Sequence, residues 1–309
     1  MAGAEPCLKA QAHTVWMAQS KQSKKTSTPT LSSVLRCPRG PIDVRRDLDP
    51  RATPMFPGKG KTDVPALYGT LQPQLDDLQE RLYASSVTPS AQPASVLIVL
   101  QGMDTAGKGG IIGHVIGMVN PQGVHIHAFK KPTPEELQHD FLWRVRAALP
   151  DPGMLGIFDR SQYEDVLIAR VESLASADEI ESRYGLINEF EQQISDMGMH
   201  IIKCFLNVSP GEQRKRLLAR LSDPRKYWKY NPADLQARSK WDDYMVAYGL
   251  ALQNCNTDYA PWYVIPSDHK WYRNWAIAQI LYETLESMNL TWPSADFDPE
   301  IEKARVRAS

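Results

Sequence analysis

Residues Gly102 to Lys108 read Gly-Met-Asp-Thr-Ala-Gly-Lys, the G-x-x-x-x-G-K spacing of a loop that cradles phosphate. Glycines let the backbone turn until its N–H groups converge on an anion, the start of the following helix adds positive potential, and Lys108 supplies a mobile cation. On this reading Gly102, Thr105, Ala106, Gly107, Lys108, Gly109 and Gly110 line a phosphate site. Gly109 stands where a serine or threonine hydroxyl would ordinarily reach a magnesium ion, so another residue must hold the metal. Asp104 is the candidate, because a carboxylate inside an anion-binding loop is repelled by the phosphates unless a cation lies between them.

A second acid, Asp159, closes the apolar run 154–158, where open α/β sheets place their ligands. Alone, Asp159 fits a helix cap as well as a metal ligand; beside a phosphate loop it is expected to hold magnesium, directly or through water. Arg160 next to it is a poor neighbour for a metal and a good one for a phosphate chain. The expected catalytic set is therefore Asp104, Lys108, Asp159 and Arg160, with the two aspartates as metal ligands. Further on, Arg214, Lys215, Arg216, Arg220, Arg225, Lys226 and Lys229 are opposed only by Asp223. Arg216 and Arg220 share a helix face and repel each other unless an anion bridges them. A charge run usually marks a solvated face, but in an otherwise neutral chain this one is expected to form an anion-binding lid. Arg216, Arg220, Lys226 and Lys229 are its phosphate contacts.

These groups need a scaffold. Val96 to Leu100 is continuously apolar, as in a parallel strand buried on both faces. Further strands are expected at 124–129, 154–158, 201–208 and 262–266. Thr133-Pro134-Glu135-Glu136 opens a helix with a threonine cap, proline first and acids in the first turn. Capping boxes starting at Ser176 and Ser209 open two more helices. Apolar spacing predicts helices over 74–84 and 271–288 as well. Strands alternating with helices imply one α/β domain with a doubly wound, parallel five-stranded sheet. Residues 41–60, dense in proline and charge, read as an extended arm. His127 and His139 lie in apolar stretches and are expected to be structural. The domain is placed at 41–290 with a lid at about 210–245, a disordered extension at 1–40 and a polar tail at 291–309.

Lys and Arg number 35 against 36 Asp and Glu, so no global charge argues for nucleic acid or a membrane surface, and an anion site must come from local clustering. Cys7, Cys37, Cys204 and Cys255 lack C-x-x-C or metal-ligand spacing, which suits a reduced compartment. No run approaches the length of a membrane span, and the first 35 residues hold no apolar segment long enough for a secretory signal. A cytoplasmic protein is expected.

The blocks GMDTAGKGG at 102–110, FDRSQYEDVLIARV at 158–171, SPGEQRKRLLARLSDPRKYWKYNP at 209–232 and APWYVIPSDHKWYRNWAIAQILYETL at 260–285 resemble the polyphosphate kinase 2 family. The likeness extends more loosely from Ile42 to Leu290. It implies a P-loop kinase-like fold with a helical lid, similar to thymidylate kinase. It also implies magnesium-dependent phosphoryl transfer between inorganic polyphosphate and nucleotides such as AMP, ADP or GDP, without a covalent intermediate. By position, Lys108 would contact phosphates, Asp104 would orient the acceptor phosphate or metal, Asp159 would hold magnesium, and Arg160, Arg216 and Arg220 would neutralise phosphate charge. The family's loop typically carries the aspartate and lacks the hydroxyl residue, so Gly109 agrees with it, although many relatives have an acid after the lysine. Homo-oligomers, dimers or tetramers, are implied too. The competing readings are an ATP-dependent nucleotide or small-molecule kinase, a nucleotide-binding switch, which lacks its N-K-x-D segment here, and a nucleic-acid binder.

Overall fold

Strand β1, Ser95–Gln101, is buried along its whole length, because its apolar side chains meet helices on both faces of the sheet. It lies in the middle of five parallel strands in the order β2-β3-β1-β4-β5, with β2 Val124–Ala128, β3 Leu155–Asp159, β4 Met199–Asn207 and β5 Trp262–Pro266. All five stand within a residue or two of their sequence expectations. The computed structural model describes residues 29–87 and 94–309, with Leu31–Ser309 forming one unit. β1 pairs Leu100 with Asp159 of β3 on one side and with Cys204 of β4 on the other. The loop after β1 and the acid ending β3 therefore leave the same end of the sheet, where the connections diverge to opposite sides.

Two of the expected helices differ in extent. The helix placed at 74–84 begins ten residues earlier and runs Val64–Ser86, passing through Pro73. The proline removes one hydrogen bond, and burial of Leu71, Leu75 and Leu82 against the Lys270–Ser287 helix outweighs that loss. The Thr133 cap does form, with Thr133 Oγ1 accepting from Glu136 N at 3.2 Å and Glu136 Oε2 from Thr133 N at 2.7 Å. The helix it opens lasts a single turn, Glu136–Gln138, and resumes only at Trp143–Ala147. Asp140 accepts from Leu142 N and starts this second segment afresh. His139 stacks on Trp143 with ring centroids 4.2 Å apart, a packing role.

Of the expected 1–40 extension, residues 1–28 lie outside the described residues, whereas Leu31–Leu35 is a helix that buries both its leucines. Arg36 then bridges Tyr263 at the edge of β5. The 41–60 arm is pinned to the strand ends that carry the site: Asn207 donates to Leu48 O, Asp268 N to Pro50 O and the Tyr272 hydroxyl to Pro54 O. Within the expected polar tail, Pro299–Ala308 is a helix with no buried residue.

Candidate active site

The loop after β1 follows from its backbone. Gly107 sits at φ +119°, and a Cβ there would fall 1.7 Å from Arg273 Nη1, so both conformation and space demand glycine. Gly102 packs against β4, where a Cβ would meet Leu206 O at 2.8 Å. Gly109 is different: nothing lies within 4 Å of an added Cβ, so the absent hydroxyl is not excluded by sterics. Lys108 curls back over the loop and donates from Nζ to Gly102 O at 2.9 Å. Thr105, at φ +65°, has a buried Oγ1 without a partner, which is costly unless a ligand supplies one.

Two buried guanidinium groups hold the loop from behind. Arg216 donates from Nη1 to Thr105 O and Ala106 O at 2.9 and 3.0 Å, and from Nη2 to Ser267 O and Asp268 O. Its Nε donates to Glu212 Oε1 at 2.9 Å. All five of its N–H groups are thus directed at protein oxygens. Arg273 Nη1 donates to the same Ala106 O at 2.8 Å. Burial, reinforced by the neighbouring Arg216 charge, lowers the Arg273 pKa to about 9. An anion in the loop would relieve that repulsion.

In front of the loop, Arg160 is held at φ +67° between two acids, Nη2 to Asp104 Oδ1 at 2.8 Å and Nη1 to Glu164 Oε2 at 3.5 Å. Burial pulls the Arg160 pKa down, but the Glu164 and Asp104 charges more than offset this and hold the guanidinium charged. Burial raises the pKa of Glu164 despite Arg160 and Lys108 nearby. These residues floor a cleft of about 520 Å³ whose other wall is the lid, with Asn231, Asp234, Gln236, Tyr244 and Tyr248. A second opening of about 300 Å³ lies between the Pro210–Leu221 helix and the start of the Lys270–Ser287 helix, lined by Lys61, Lys215, His269 and Lys270. The Lys270 pKa is lowered by burial and by Arg216, Arg273 and Lys226.

The structure gathers Asp104, Lys108 and Arg160 around the loop and sets Asp159 one residue from Arg160, level with Leu100. It does not place Arg216 as a phosphate contact: the side chain points under the loop, and its donors are spent. Arg220 is also turned to protein, donating to Lys229 O at 2.7 Å and pairing with Asp234 at 3.4 Å. Lys226 pairs with Asp223, and Lys229 lies over the Trp228 ring at 4.8 Å. Sequence reasoning missed Arg273, Lys270 and Glu164. Their only signal was membership of the recurring blocks, since a basic residue at a helix start reads as solvent-facing.

A parallel sheet of this order, with a glycine-rich lysine loop at the end of its middle strand and a lid over it, defines a P-loop kinase-like fold. The sequence pattern of the polyphosphate kinase 2 family matches residues 68–293. The chain is 44% identical over 259 residues to the AMP/ADP-polyphosphate phosphotransferase of Meiothermus ruber, covering 84% of this chain and 94% of that one. It is 42% identical over 232 residues to the ADP-polyphosphate phosphotransferase of Rhodopseudomonas palustris, covering 71% and 78%. The crystal structure of polyphosphate kinase 2 from Arthrobacter aurescens TC1 superposes with a TM-score of 0.86 at 48% identity, covering 91% of this chain and 98% of that one. The chain belongs to the polyphosphate kinase 2 family and is an enzyme of the kinase class. No helix among the described residues is long and apolar enough to cross a membrane.

Proposed function

We propose that the chain transfers the terminal phosphoryl group of inorganic polyphosphate to a nucleoside mono- or diphosphate, with the phosphate loop as the meeting point of the two substrates. The observation that carries this reading is the pair of openings of opposite character on either side of the loop. The larger cleft offers acids and hydrogen-bonding groups, Glu164, Asp234, Asn231 and Gln236, beside two tyrosines. That suits a nucleoside with N–H donors and an aromatic ring, and would repel a long polyanion. The smaller opening offers Lys61, Lys215 and Lys270. Its acids are already engaged, Glu212 by Arg216 and Lys215, and Asp268 by Ser209 and Arg51. This suits the polyphosphate chain.

Catalysis then rests on alignment and charge neutralisation, since little bond-making falls to the protein in phosphoryl transfer. Loop N–H groups and Lys108 hold the transferred group, and the Arg216–Arg273 pair fixes the loop that presents them. Arg160 bridges Asp104 and Glu164 and faces the cleft, poised to exchange a carboxylate partner for phosphate oxygens. The donor set fits magnesium. Asp104 has one oxygen on Arg160 and its other without a protein partner among the described residues, and Asp159, at the end of β3 opposite Leu100, offers a further hard oxygen ligand. Magnesium is commonly held by one or two carboxylates, its shell completed by phosphate and water. Bound there, magnesium would neutralise charge on the transferring phosphate. A homo-oligomer located in the cytoplasm completes the proposal.

The test is ATP formation from ADP, polyphosphate and magnesium, followed by phosphorus NMR. Lys108→Ala and Asp159→Asn are each expected to lower kcat by about 100-fold or more. Lys270→Met should raise the KM for polyphosphate and leave that for ADP within twofold. Normal turnover by both loop and strand variants would refute the site, and equal activity with ATP as the only donor would favour an ATP-dependent kinase.

A further inference from the structure

The outer face of the lid carries an apolar groove of about 440 Å³ that takes no part in the proposed reaction. Leu218, Leu221 and Leu235 line it and are 55%, 44% and 52% exposed, a large apolar surface for three neighbouring leucines on a soluble face. Arg214 and Arg238 stand at its rim. Arg214 has no ion pair among the described residues, and Arg238 uses only Nη1, on Pro210 O and Gln213 Oε1 at 2.8 Å.

The C-terminal segment has the complementary character. Residues 296–302 read Asp-Phe-Asp-Pro-Glu-Ile-Glu, four acids interleaved with Phe297 and Ile301. Phe297 is 57% and Ile301 58% exposed, and the helix Pro299–Ala308 buries nothing. Its hydrogen bonds and ion pairs among the described residues are local, such as Lys303 to Glu300 and Arg305 to Glu302, both at 2.7 Å. Exposed pairs of this kind are weak and do not commit the acids. A ten-residue helix is marginal on its own, so a docking face for it is expected.

We propose that Phe297 and Ile301 of one chain dock into the lid groove of a second copy, with the flanking acids meeting Arg214 and Arg238. Chain geometry favours a second copy over the chain's own lid. The Lys270–Ser287 helix starts beside the lid helix, sharing an opening with Lys215, and its 18 residues carry the chain about 27 Å away. There the tail is fastened, Arg81 donating to Leu290 O at 3.2 Å and lying 5.9 Å from the Trp292 ring. The five residues from Trp292 to Phe297 span at most about 18 Å. That reach is shorter than the helix it would have to retrace to its own lid, whereas a two-fold partner satisfies two tails and two grooves at once.

The test mixes two full-length chains in a Cys7→Ser background, one carrying Phe297→Cys and the other Leu235→Cys; Cys37, Cys204 and Cys255 are buried. Both engineered positions are exposed, so folding is preserved and is verified by the melting temperature. Under a mild copper-phenanthroline oxidant, the mixture should yield at least about tenfold more disulfide-linked dimer than either variant alone. The yield should fall in 1 M salt and on adding Leu218→Asp to the groove chain. No excess dimer in the mixture overturns the proposal. A single chain carrying both cysteines that closes on itself instead of on a partner overturns it equally.

Discussion

Replacement of Arg216 separates a residue that binds substrate from one that builds the site. If Arg216 contacted polyphosphate, its removal would cost about 1.5–3 kcal/mol of binding, a roughly 10- to 150-fold rise in the polyphosphate KM with the fold untouched. The structure predicts otherwise. Arg216→Met strips partners from Thr105 O, Ala106 O, Ser267 O and Asp268 O and leaves Glu212 short of a partner. Five charge-assisted bonds summed singly, about 7–15 kcal/mol, would equal the whole stability of a typical domain, so they are not additive; the cost of breaking a buried charged network, about 3–5 kcal/mol, is the better guide. For a chain of this size that corresponds to a melting temperature lower by roughly 5 to 8 °C. Arg216→Lys should recover less than half, because an ammonium cannot fork between two pairs of carbonyls. Calorimetry and steady-state kinetics should show a lower melting temperature, a lower kcat and little selectivity between substrates. A Lys variant melting within about 1 °C of the parent with only its polyphosphate KM raised would refute the reasoning.

The glycines of the loop divide by the same geometry. Gly109→Ser enters open space and should leave the melting temperature within about 2 °C, whereas Gly107→Ala meets both Arg273 and a left-handed backbone and should cost on the order of 1–3 kcal/mol from strain alone. A pH series tests Glu164, whose pKa is raised in the folded state above the ordinary 4.5. Folding favours its neutral form relative to the unfolded chain, so this contribution is fully present below that value and is lost as pH rises through the raised pKa. The stability of Glu164→Gln relative to the parent should therefore increase from pH 4.5 upward; a flat or falling difference contradicts the assignment.

The strands, the loop and its flanking helix were legible because each is written in contiguous residues: the apolar run 96–100, the spacing 102–108 and the serine caps at 176 and 209. Ser176 Oγ and Ser209 Oγ do accept from Glu179 N and Glu212 N. Pro73 misled, because a local rule against proline in helices yields to packing that only the folded chain supplies. The Thr133 cap was read correctly, yet the helix it starts is stopped within a turn. The arm at 41–60 was read as extended; it holds a four-residue helix, Val44–Asp47, and its anchoring to Asn207, Asp268 and Tyr272 lies in no local pattern.

What the sequence determined by itself is that a glycine-rich loop bearing Asp104 and Lys108 follows a buried parallel strand, with Asp159 at the end of a second one, since backbone conformation and strand burial depend on neighbouring residue types. Only the tertiary structure decided which cations turn to protein oxygens. Arg216 and Arg220 differ by one helical turn and carry the same charge, yet Arg216 turns to a carbonyl 110 residues away and Arg220 to Lys229 O and Asp234. Arg273 reaches the same Ala106 carbonyl across 167 residues. A guanidinium attracts phosphate and peptide oxygen alike, so its role is set by whichever acceptor the fold brings within 3 Å, and that distance exists only once sheet, lid and final helix have packed.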